Sequence, residues 1–482
     1  MRAKPRTLAD LDFHAVIRAD PVLADLAREA RTTSIDLLLV GGAVRDLFLG
    51  RTPEDLDFVL VADSQPARDF LTGRARAYGT RLLVFDRKGI RERRLPLPGR
   101  ELDFVIVPPG RLEPELARRD FTVNTLAVRL PGGMLLDRFQ AREDLRRGIL
   151  RQVGPDGFLH DPLRALRAVR LLAWRTVHRI EAETAAELRR RARGLASCAA
   201  ERIGKEMDRI AGSNRFAFAL RTMGDLGLLE PLLPEAIPMF GVTQNAFHHL
   251  DCWEHTLAAV DLADDLSTLA APLDQDGLPP FPLPGGEDLL VLKYGLLMHD
   301  LGKPATRSID GAGRVHFYGH EKVSVKLARG VARRWCFSRR RMDRVATLIR
   351  NHLRPGALGG QATEKALRRL IHDLDGELDL LLLLSLADTG ATRGQDDQAR
   401  RAGQIAVGHR LRSLWARLGD ELTRPRLLLD GHEVMHLLGL PPGRQVGRIL
   451  AALERLQVEG RVIRRDQAVV AIRRLGASLR RR

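Results

Sequence analysis

Short apolar runs alternate with amphipathic stretches near the start of the chain. Residues 1–34 place apolar side chains at helical spacing and predict a helical lead-in. The apolar run Ile35–Val40 predicts a strand, Ala43–Leu49 predicts a helix, and Phe58–Val61 predicts a second strand. Together these segments predict a β–α–β unit.

The pattern continues with a helix and two more strands before helical spacing takes over. Arg68–Tyr78 predicts a helix, and Arg81–Phe85 and Leu102–Val107 predict strands. Residues 181–240 read as helical and basic. The longest apolar run, Leu380–Ala387, is too short to cross a bilayer, which takes roughly 20 residues. We therefore expect an α+β fold and no membrane partner.

Composition narrows the class of protein. A chain of 482 residues can form several domains, and its net charge of +17 favours a polyanionic partner. Three scattered cysteines, Cys198, Cys252 and Cys336, suit a reducing compartment and do not form a disulfide framework. No apolar signal region follows the first residues. We expect a cytoplasmic protein that binds nucleic acid.

Candidate chemistry first appears around the second strand. Asp55 and Asp57 lie at i and i+2, so on a strand they project from one face. Two adjacent carboxylates repel each other unless a cation lies between them, and oxygen ligands suit Mg²⁺. Gly41 and Gly42 allow backbone N–H groups to approach an anion ahead of a helix N-terminus. The segment predicts a site for a metal-bound triphosphate.

This segment resembles the signature of the class II tRNA nucleotidyltransferase and bacterial poly(A) polymerase family. The resemblance rests on three motifs in order: Gly41-Gly42, Arg45-Asp46 and Asp55-x-Asp57. It implies that two Mg²⁺ ions bind to Asp55 and Asp57 and that the triphosphate lies against the glycines. It also implies a third catalytic carboxylate on a neighbouring strand, for which Asp103 is the candidate and Glu101 the alternative.

The next motif is the segment RRDFTVN at residues 118–124. In the family this segment lines the nucleotide pocket, which implies nucleotide contacts for Arg119, Asp120 and Asn124, and the resemblance of the earlier Arg45-Asp46 motif implies one for Arg45. Asp and Asn can bond ribose hydroxyls, and an arginine can bond phosphate oxygens in a fork.

A second pair, Asp161 and Arg164, is predicted to read the base. Asp161 as N-cap and Pro162 at the first position predict a helix start that puts the pair on one face. A carboxylate can accept from the amino group of cytosine or adenine while a guanidinium donates to the ring nitrogen. The resemblance assigns this pair to the base of the incoming nucleotide. Arg167 and Arg170 lie further along the same face of the predicted helix, and we expect them to point toward the RNA backbone.

The interval from Phe104 to Ala117 departs from the pattern of the CCA-adding members. They usually carry a flexible, charged loop of a dozen or more residues between the third-carboxylate strand and the RRDFTxN element. Here the interval is short and contains Pro108, Pro109 and Pro114, which restrict the backbone. In the family, loss of the loop accompanies enzymes that add only two cytidines, so we expect CC addition.

The second half of the chain resembles the HD phosphohydrolase superfamily. A histidine, a later His-Asp pair in LLMHDLGKP and a distant aspartate follow in the expected order: His255, His299, Asp300 and Asp388. His320 and His352 could serve a second ion. Mixed imidazole and carboxylate ligands suit a transition metal or Mg²⁺ more than a structural zinc.

The sequence therefore predicts a small mixed-sheet nucleotidyltransferase head followed by helical domains. We place the head at residues 1–150, a helical neck and body at 151–245, the HD domain at 246–400 and a basic tail at 401–482. The expected function is template-independent addition of CMP to the 3′ end of tRNA, with contacts to the acceptor stem. CTP is the expected nucleotide, and ATP is the second one if the whole CCA end is made.

Three alternatives remain open at this stage. Full CCA addition and poly(A) addition would use the same head. The third is a metal-dependent phosphohydrolase whose head only binds RNA, although the complete set of head carboxylates argues against it.

Overall fold

A computed structural model describes residues 11–53, 55–87, 90–244, 250–359, 361–392 and 397–479. The chain forms two compact units, Met1–Cys198 with Met223–Pro231, and Ala199–Thr222 with Leu232–Arg482. The first contains a mixed sheet and the second is helical, so the predicted α+β class is confirmed. No helix in these described ranges has both the length and the apolar character that crossing a membrane requires.

Residues 1–10 of the predicted lead-in lie outside the described residues, and the rest forms two helices separated at Asp20. Asp20 caps the second helix by accepting from the backbone N–H groups of Val22 and Leu23. The helices of this part of the chain are α1 (Phe13–Ala19), α2 (Pro21–Thr32), α3 (Gly42–Phe48), α4 (Ser64–Ala77), α5 (Leu112–Ala117), α6 (Ala141–Arg147), α7 (Gly157–His160), α8 (Arg164–Ala173) and α9 (Ala182–Arg191).

Among the described residues, seven strands form one sheet in the order β3-β4-β5-β2-β1-β6-β7. They are β1 (Asp36–Val40), β2 (Leu56–Val61), β3 (Leu83–Arg87), β4 (Ile90–Leu97), β5 (Arg100–Val107), β6 (Ala127–Leu130) and β7 (Met134–Leu136). β2 and β5 run parallel, and the other neighbours are antiparallel. Two short strands, β8 (Ile149–Leu150) and β9 (Arg179–Ile180), pair separately.

The sheet is buried on both faces at its centre. One face packs Leu38, Val40, Val59 and Val107 into a cluster with Leu116 of α5. On the adjacent strands β2 and β5, the rings of Phe58 and Phe104 stack with centroids 4.8 Å apart. The nearly continuous apolar sequences of β1 and β2 agree with burial of these two strands on both faces of the sheet.

Strand β4 is an element that the hydrophobic pattern does not predict. Half of its sequence, IRERRLPL, is charged, and among its described side chains, those of residues 92–97, Leu95 is the fully buried one. Pairing with β5 along the whole strand supplies backbone hydrogen bonds that hold the strand in the sheet despite its charged side chains. The consequence for function is that β4 delivers an arginine to the candidate site.

The second unit is built from helices, with one short hairpin of β10 (Ser308–Ile309) and β11 (Val315–His316). The helices from residue 200 onward are α10 (Ala200–Ala211), α11 (Phe216–Asp225), α12 (Leu229–Leu232), α13 (Cys252–Leu262), α14 (Leu266–Ala270), α15 (Gly286–Met298), α16 (Lys303–Thr306), α17 (His320–Arg334), α18 (Arg339–Asn351), α19 (Arg354–Leu358), α20 (Glu364–Leu374), α21 (Leu378–Gly390), α22 (Asp397–Thr423), α23 (Gly431–Leu438), α24 (Arg444–Val458) and α25 (Arg465–Leu479).

The last three helices enclose a small core of their own. Val434 from α23, Ile449 and Leu453 from α24 and Ile472 from α25 are all buried in it. Asp430 begins α23 with a reciprocal capping box that includes Glu433. The basic tail is therefore folded structure rather than an extended arm.

Candidate active sites

Two of the predicted catalytic carboxylates lie side by side on the sheet of the first unit. Asp57 on β2 and Asp103 on β5 are direct partners in the parallel register. Asp55 lies one residue before β2, and its Oδ1 atom accepts from the N–H of Glu101 at 3.2 Å. The three predicted acids and the alternative, Glu101, thus gather near the start of two adjacent strands.

The electrostatics of this group suit a bound cation. Burial raises the pKa of Asp57, Arg119 opposes that shift, and the carboxylates of Asp103 and Asp55 add to it. A divalent cation between these oxygens would relieve their repulsion, and Mg²⁺ prefers such ligands. The residues present therefore fit the metal that the sequence predicts.

An arginine that the sequence analysis did not single out holds the third carboxylate. Arg94 on β4 donates from Nε to Asp103 Oδ1 at 2.6 Å, and its Nη1 lies 2.6 Å from a Glu101 oxygen. Asp103 raises the pKa of Arg94 through this hydrogen bond. Nothing in the hydrophobic pattern marks Arg94, because its strand was not predicted.

The first glycine of the pair, Gly41, lies close to the carboxylate of Asp57. Gly41 has φ +75° and serves as N-cap of α3, which Gly42 begins. A Cβ on Gly41 would lie 3.3 Å from Asp57 Oδ2 and would collide with Nη1 of Arg119. Only glycine therefore permits this backbone and the close approach of Arg119 to Asp57.

A chain of hydrogen bonds joins the RD motif to the RRDFTVN segment. Buried Arg45 donates to Asp46 at 2.9 Å and to Asn124 Oδ1 at 2.5 Å. Asn124 in turn donates to Asp120 at 2.8 Å, and Arg167 of α8 lies 3.5 Å from the other Asp120 oxygen. Arg45, Asp120 and Asn124, which are predicted to contact the nucleotide, are thus linked to one another by hydrogen bonds.

The predicted start of helix α8 is wrong. The helix begins at Arg164 with Leu163 as N-cap, and Asp161 instead ends α7 in an extended conformation. The extended conformation of Asp161 is usual for a residue before a proline, and Pro162 and Leu163 form a turn that places the first helical residue at Arg164. Asp161 still meets Arg164 through a turn, because its carbonyl accepts from the Arg164 N–H at 3.1 Å.

Arg164 is anchored to the backbone of the RRDFTVN segment. Its Nη1 and Nη2 atoms donate to the carbonyls of Arg119 and Arg118 at 3.1 and 2.5 Å. Burial lowers the pKa of Arg164. Arg170 lies further along the same helix and is half-buried. Arg164 therefore connects α8 to the segment that carries Arg119 and Asp120.

Two buried donors in this region lack an acceptor. Within the described ranges, the Nε atoms of Arg119 and Arg164 are buried and have no hydrogen-bond partner. Buried donors are nearly always paired in native proteins, so an unpaired one requires an explanation. A ligand that brings acceptor oxygens or a ring nitrogen would supply the missing partners.

The second candidate centre lies among the helices of the HD region. His255 of α13, His299 after α15 and Asp388 of α21 each offer a ligand atom, and these atoms lie within 4.8 Å of one another. His255 Nε2 is 2.9 Å and His299 Nε2 is 3.4 Å from Asp388 Oδ1. These three residues, far apart in sequence, form one group in which both histidines are buried and Asp388 is partly exposed.

A second group adjoins the first through the His-Asp pair. Asp300, His320 and His352 also offer ligand atoms within 4.8 Å of one another. Asp300 Oδ2 is 3.2 Å from His299 Nε2, and Asp300 Oδ1 is 3.3 Å from His320 Nε2. Asp300 therefore links two metal-ligand groups, as the predicted second ion requires.

The orientation of the histidines favours metal binding. Three rings donate from Nδ1 to a carbonyl one turn earlier, in the pairs His299–Leu296, His320–Phe317 and His352–Ile349. Because Nδ1 is engaged in this way, each ring turns its Nε2 atom toward the centre, where that atom can serve as a metal ligand. The Nε2 atoms of His320 and His352 nevertheless lie 3.2 Å apart, an arrangement that a shared cation would stabilise.

The charges around the centre agree with this interpretation. Burial alone would lower the pKa of His299, but Asp300 and Asp388 raise it to about 10. Burial lowers the pKa of His352 to about 4, which keeps that ring neutral. The centre thus attracts positive charge and holds a neutral imidazole ready as a ligand.

A buried lysine supports Asp300, and the sequence analysis did not assign it a role. Lys303 Nζ lies 2.6 Å from Asp300 Oδ2 and donates to Gln244 Oε1 at 2.6 Å. Lys303 is the lysine of the HDLGK segment, so the motif itself marks this residue as part of the site. Gln244 carried no local signal because it lies far from that motif in sequence.

The fold and the two centres define a nucleotidyltransferase head joined to an HD domain. The family model described as "Poly A polymerase head domain" matches residues 37–81 and 91–151. "Probable RNA and SrmB- binding site of polymerase A" matches 179–240, and "HD domain" matches 252–388.

Relatives and solved structures agree with these matches. A CC-adding tRNA nucleotidyltransferase from Thermus thermophilus is 37% identical over 90% of this chain and 93% of its own length. An A-adding tRNA nucleotidyltransferase from Deinococcus radiodurans is 34% identical over 88% of this chain and 92% of its own. The chain belongs to the tRNA nucleotidyltransferase and poly(A) polymerase family, which confirms the resemblance seen in the sequence.

The fold is also similar to that of solved CCA-adding enzymes. A Thermotoga maritima CCA-adding enzyme complexed with tRNA gives a TM-score of 0.57 at 18% identity, covering 98% of both chains. A CCA-adding enzyme in complex with ATP gives 0.59 at 19% identity, covering 98% of this chain and 97% of the other. At this identity the likeness supports the fold and not the choice of nucleotide.

Proposed function

We propose that this protein transfers CMP from CTP to the 3′ end of tRNA and stops after two cytidines. The observation that carries the proposal is the register pairing of Asp57 with Asp103 beneath Gly41. It brings two carboxylates and a glycine-lined helix N-terminus to one point, which is what a metal-bound triphosphate needs.

The reaction is an in-line displacement at the α-phosphorus. The terminal 3′ oxygen of the RNA forms a bond to the α-phosphorus as the bond to the β-phosphate oxygen breaks, and pyrophosphate leaves. Asp55, Asp57 and Asp103 would hold two Mg²⁺ ions, which supply charge neutralisation and activation of the hydroxyl. Asp103 is also suited to accept the hydroxyl proton, and the N-terminus of α3 stabilises the triphosphate charge.

Base selection is assigned to Asp161 and Arg164. The unpaired Nε donor of Arg164 can serve the ring nitrogen of cytosine, and the Asp161 carboxylate can accept from its amino group. Anchoring of Arg164 to the carbonyls of Arg118 and Arg119 favours one fixed pocket geometry. Arg119 supplies a second unpaired donor for the phosphates.

The restriction to CC addition rests on the interval Phe104–Ala117. It consists of the end of β5, a turn and the short helix α5, which packs Leu116 against the sheet. Because this segment is folded against the sheet, it contains no long mobile loop that could reshape the nucleotide pocket for adenine. A separate protein would then add the terminal A.

Addition of a single A is the second candidate, favoured by the relative from Deinococcus radiodurans. The decisive experiment offers the purified protein tRNA ending at the discriminator base or at CC, with CTP or ATP. We expect two cytidines on the first substrate and almost no product from tRNA-CC with ATP. A single A from the latter would identify an A-adding or CCA-adding enzyme, and long A tracts a poly(A) polymerase.

For the HD domain we propose metal-dependent phosphohydrolase activity. The buried groups of His255, His299, Asp300 and Asp388 carry this proposal because they can hold a divalent transition metal or Mg²⁺. Elemental analysis of the purified protein and assays of phosphate release with Mn²⁺, Mg²⁺ or EDTA test it. Absence of bound metal and of phosphate release would favour a purely structural domain.

The remaining assignments follow from the same proposal. We place the domain boundaries near residues 150, 245 and 400, and we expect the protein to act in the cytoplasm, where tRNA is processed. A hydrolase whose head only binds RNA stays the competing class, and the transfer assay excludes it if cytidines are added.

A further inference from the structure

Arg94 lies at the end of a row of charged side chains that crosses three neighbouring strands. The antiparallel register of β4 with β5 pairs Arg94 with Asp103, and the parallel register of β5 with β2 pairs Asp103 with Asp57. Residues paired directly across neighbouring strands project from the same face of a sheet. The three side chains therefore lie side by side, with the predicted third catalytic carboxylate in the middle.

The guanidinium group of Arg94 is bound to two acids. Its Nε and Nη2 atoms donate to the two oxygens of Asp103 at 2.6 and 3.0 Å, and its Nη1 atom lies 2.6 Å from Glu101 Oε2. Its Cζ atom also lies 5.9 Å from the centre of the Phe85 ring on β3. Because two parallel hydrogen bonds join one planar group to one carboxylate, Arg94 sets the orientation of the Asp103 carboxylate as well as its position.

The two arginines beside the acids differ in the donors that they have left. Arg119 retains a buried Nε atom for which the described part of the chain offers no acceptor, so it can meet a phosphate oxygen. Arg94 directs all three of its guanidinium nitrogens at carboxylates. Contact with the nucleotide therefore suits Arg119, whereas a role in holding Asp103 suits Arg94.

Arg94 also offsets negative charge at a site that is suited to cations. Asp55, Asp57, Asp103 and Glu101 bring four carboxylates to the start of β2 and β5, and Arg94 contacts two of them directly. Since like charges repel, the guanidinium group weakens the attraction of these carboxylates for a divalent cation. A triphosphate adds negative charge and ligand oxygens, which restore that attraction.

We propose that Arg94 is a positioning residue of the head. It holds the Asp103 carboxylate in the orientation that transfer requires, and it keeps the affinity of the carboxylates for a divalent cation low until a nucleoside triphosphate binds. The inference rests on the function proposed above. Removing Arg94 should have two opposite effects, tighter metal binding and slower transfer, whereas the loss of a purely structural side chain would weaken both.

Metal binding is measured first, without nucleotide and independently of transfer. Electron paramagnetic resonance follows the binding of Mn²⁺, a paramagnetic substitute for Mg²⁺, to the full-length protein, and the part that Asp57→Ala removes is assigned to the head. For Arg94→Ala we expect this part to bind Mn²⁺ about tenfold more tightly, because a positive charge beside the ligands is lost. Unchanged or weaker binding would overturn the proposal.

Transfer of labelled CMP provides the second readout. Arg94→Ala should lower kcat roughly 30-fold and leave KM for CTP within about twofold, because Arg94 acts on Asp103 and not on the nucleotide. Arg94→Lys separates geometry from charge, since a lysine keeps the positive charge but lacks the planar fork that bonds both carboxylate oxygens. We expect wild-type Mn²⁺ affinity and a low kcat for Arg94→Lys. Recovery of kcat, or Mn²⁺ binding as tight as that of Arg94→Ala, would contradict the proposal.

Arg93→Ala is the matched control. Arg93 is the neighbouring residue of β4, pairs with Phe104 and donates to the carbonyl of Glu92. Successive residues of a strand point to opposite faces, so Arg93→Ala should change neither Mn²⁺ binding nor kcat.

A double variant tests whether Arg94 acts through Asp103. In an Asp103→Asn background, Arg94→Ala should lower kcat by no more than about twofold, because the partner that Arg94 orients is already changed. A further 30-fold loss in that background would mean that the two residues act independently, and the positioning role would be wrong.

The proposed function and this inference fail in distinguishable ways. If the wild-type protein adds no nucleotide to any RNA, the proposed function fails, while Mn²⁺ binding by Arg94→Ala still decides whether Arg94 controls the metal affinity of the acids. Normal transfer by the wild-type protein together with unchanged Mn²⁺ binding in Arg94→Ala would reject the role of Arg94 alone. Circular dichroism verifies that each variant is folded.

Discussion

The two candidate centres gather their ligands in opposite ways. In the head, Asp57 and Asp103 project from neighbouring strands and are compensated by arginine side chains, Arg119 and Arg94. In the HD centre the candidate ligands include three histidines whose rings are fixed by carbonyls at helix ends. The negative charge of the head is balanced by long arginine side chains that can reorient, whereas the histidine rings of the HD centre are already held in one orientation.

The difference follows from the ligands that each centre must bind and release. Transfer requires that a triphosphate enter and pyrophosphate leave at every turnover, so the charge balance of the head must change repeatedly. Arginine counter-ions allow this because they can exchange a carboxylate for a phosphate. A metal bound in the HD domain would have no such need, because histidine rings of fixed orientation hold a metal better than mobile side chains do.

The largest expected effect comes from removing one carboxylate from the head. Asp57→Ala should lower the rate of CMP transfer by at least about 10³-fold, because a metal ligand beside the reacting phosphate is lost. Asp55→Ala should act in the same direction. Transfer to tRNA lacking its 3′ end, followed with labelled CTP, measures the effect.

Asp36→Ala is the matched control for this variant. Asp36 lies on the same sheet but pairs with Arg129, so its loss should leave the transfer rate within about twofold. A near wild-type rate for Asp57→Ala would exclude a metal role for that residue.

The second-largest expected effect distinguishes the role of the HD centre from that of the head. The double variant His299→Ala with Asp300→Ala should lose most of the metal bound to the HD domain and at least about 100-fold of any phosphohydrolase rate, while transfer is unchanged. Metal content is measured by elemental analysis and folding by circular dichroism.

His372→Ala serves as the control for the HD variant, since His372 bonds to the carbonyl of Leu422 outside the metal-ligand groups. If transfer by the double variant collapses although the protein is folded, the HD centre supports the head or holds RNA. The separation of roles proposed above would then be wrong.

A smaller effect is expected at Gly41, where the backbone and the side chain of Arg119 lie close together. Gly41→Ala should raise KM for CTP roughly tenfold, because a methyl group would displace Arg119 from Asp57 and strain a backbone with positive φ. Gly50→Ala has a similar φ, +68°, but open space around it. The control should lose stability without a change in KM; equal kinetic effects would mean that strain alone is responsible.

The smallest effect concerns base choice. Asp161→Ala should reduce the preference for CTP over UTP by up to about tenfold and slow CTP use less than that, because it removes the acceptor for the amino group. Competition between the two labelled nucleotides measures this ratio. Asp156→Ala, at an exposed position of the preceding turn, should keep full selectivity. Unchanged selectivity in Asp161→Ala would leave the residue a structural role only.

Much of the head could be predicted because its signals are local. The strand, glycine pair and helix around Gly41 follow from periodicity and backbone preference within a short segment of the chain. The start of α8 could not be located in this way, because a turn at Pro162 and Leu163 follows the helix-start signal and the first helical residue is Arg164. Helix α7 ends directly before this turn, at His160.

The sequence by itself determined the chemistry of both centres: which carboxylates, glycines and histidines are present, in what order, and which family pattern they match. Tertiary structure decided which of them meet. The register of β2 with β5 brings Asp57 beside Asp103, and the charged strand β4 brings Arg94 to Asp103. Helix packing joins His255 to Asp388, two residues far apart in the chain. Such contacts depend on pairing between distant segments, and local periodicity carries no information about them.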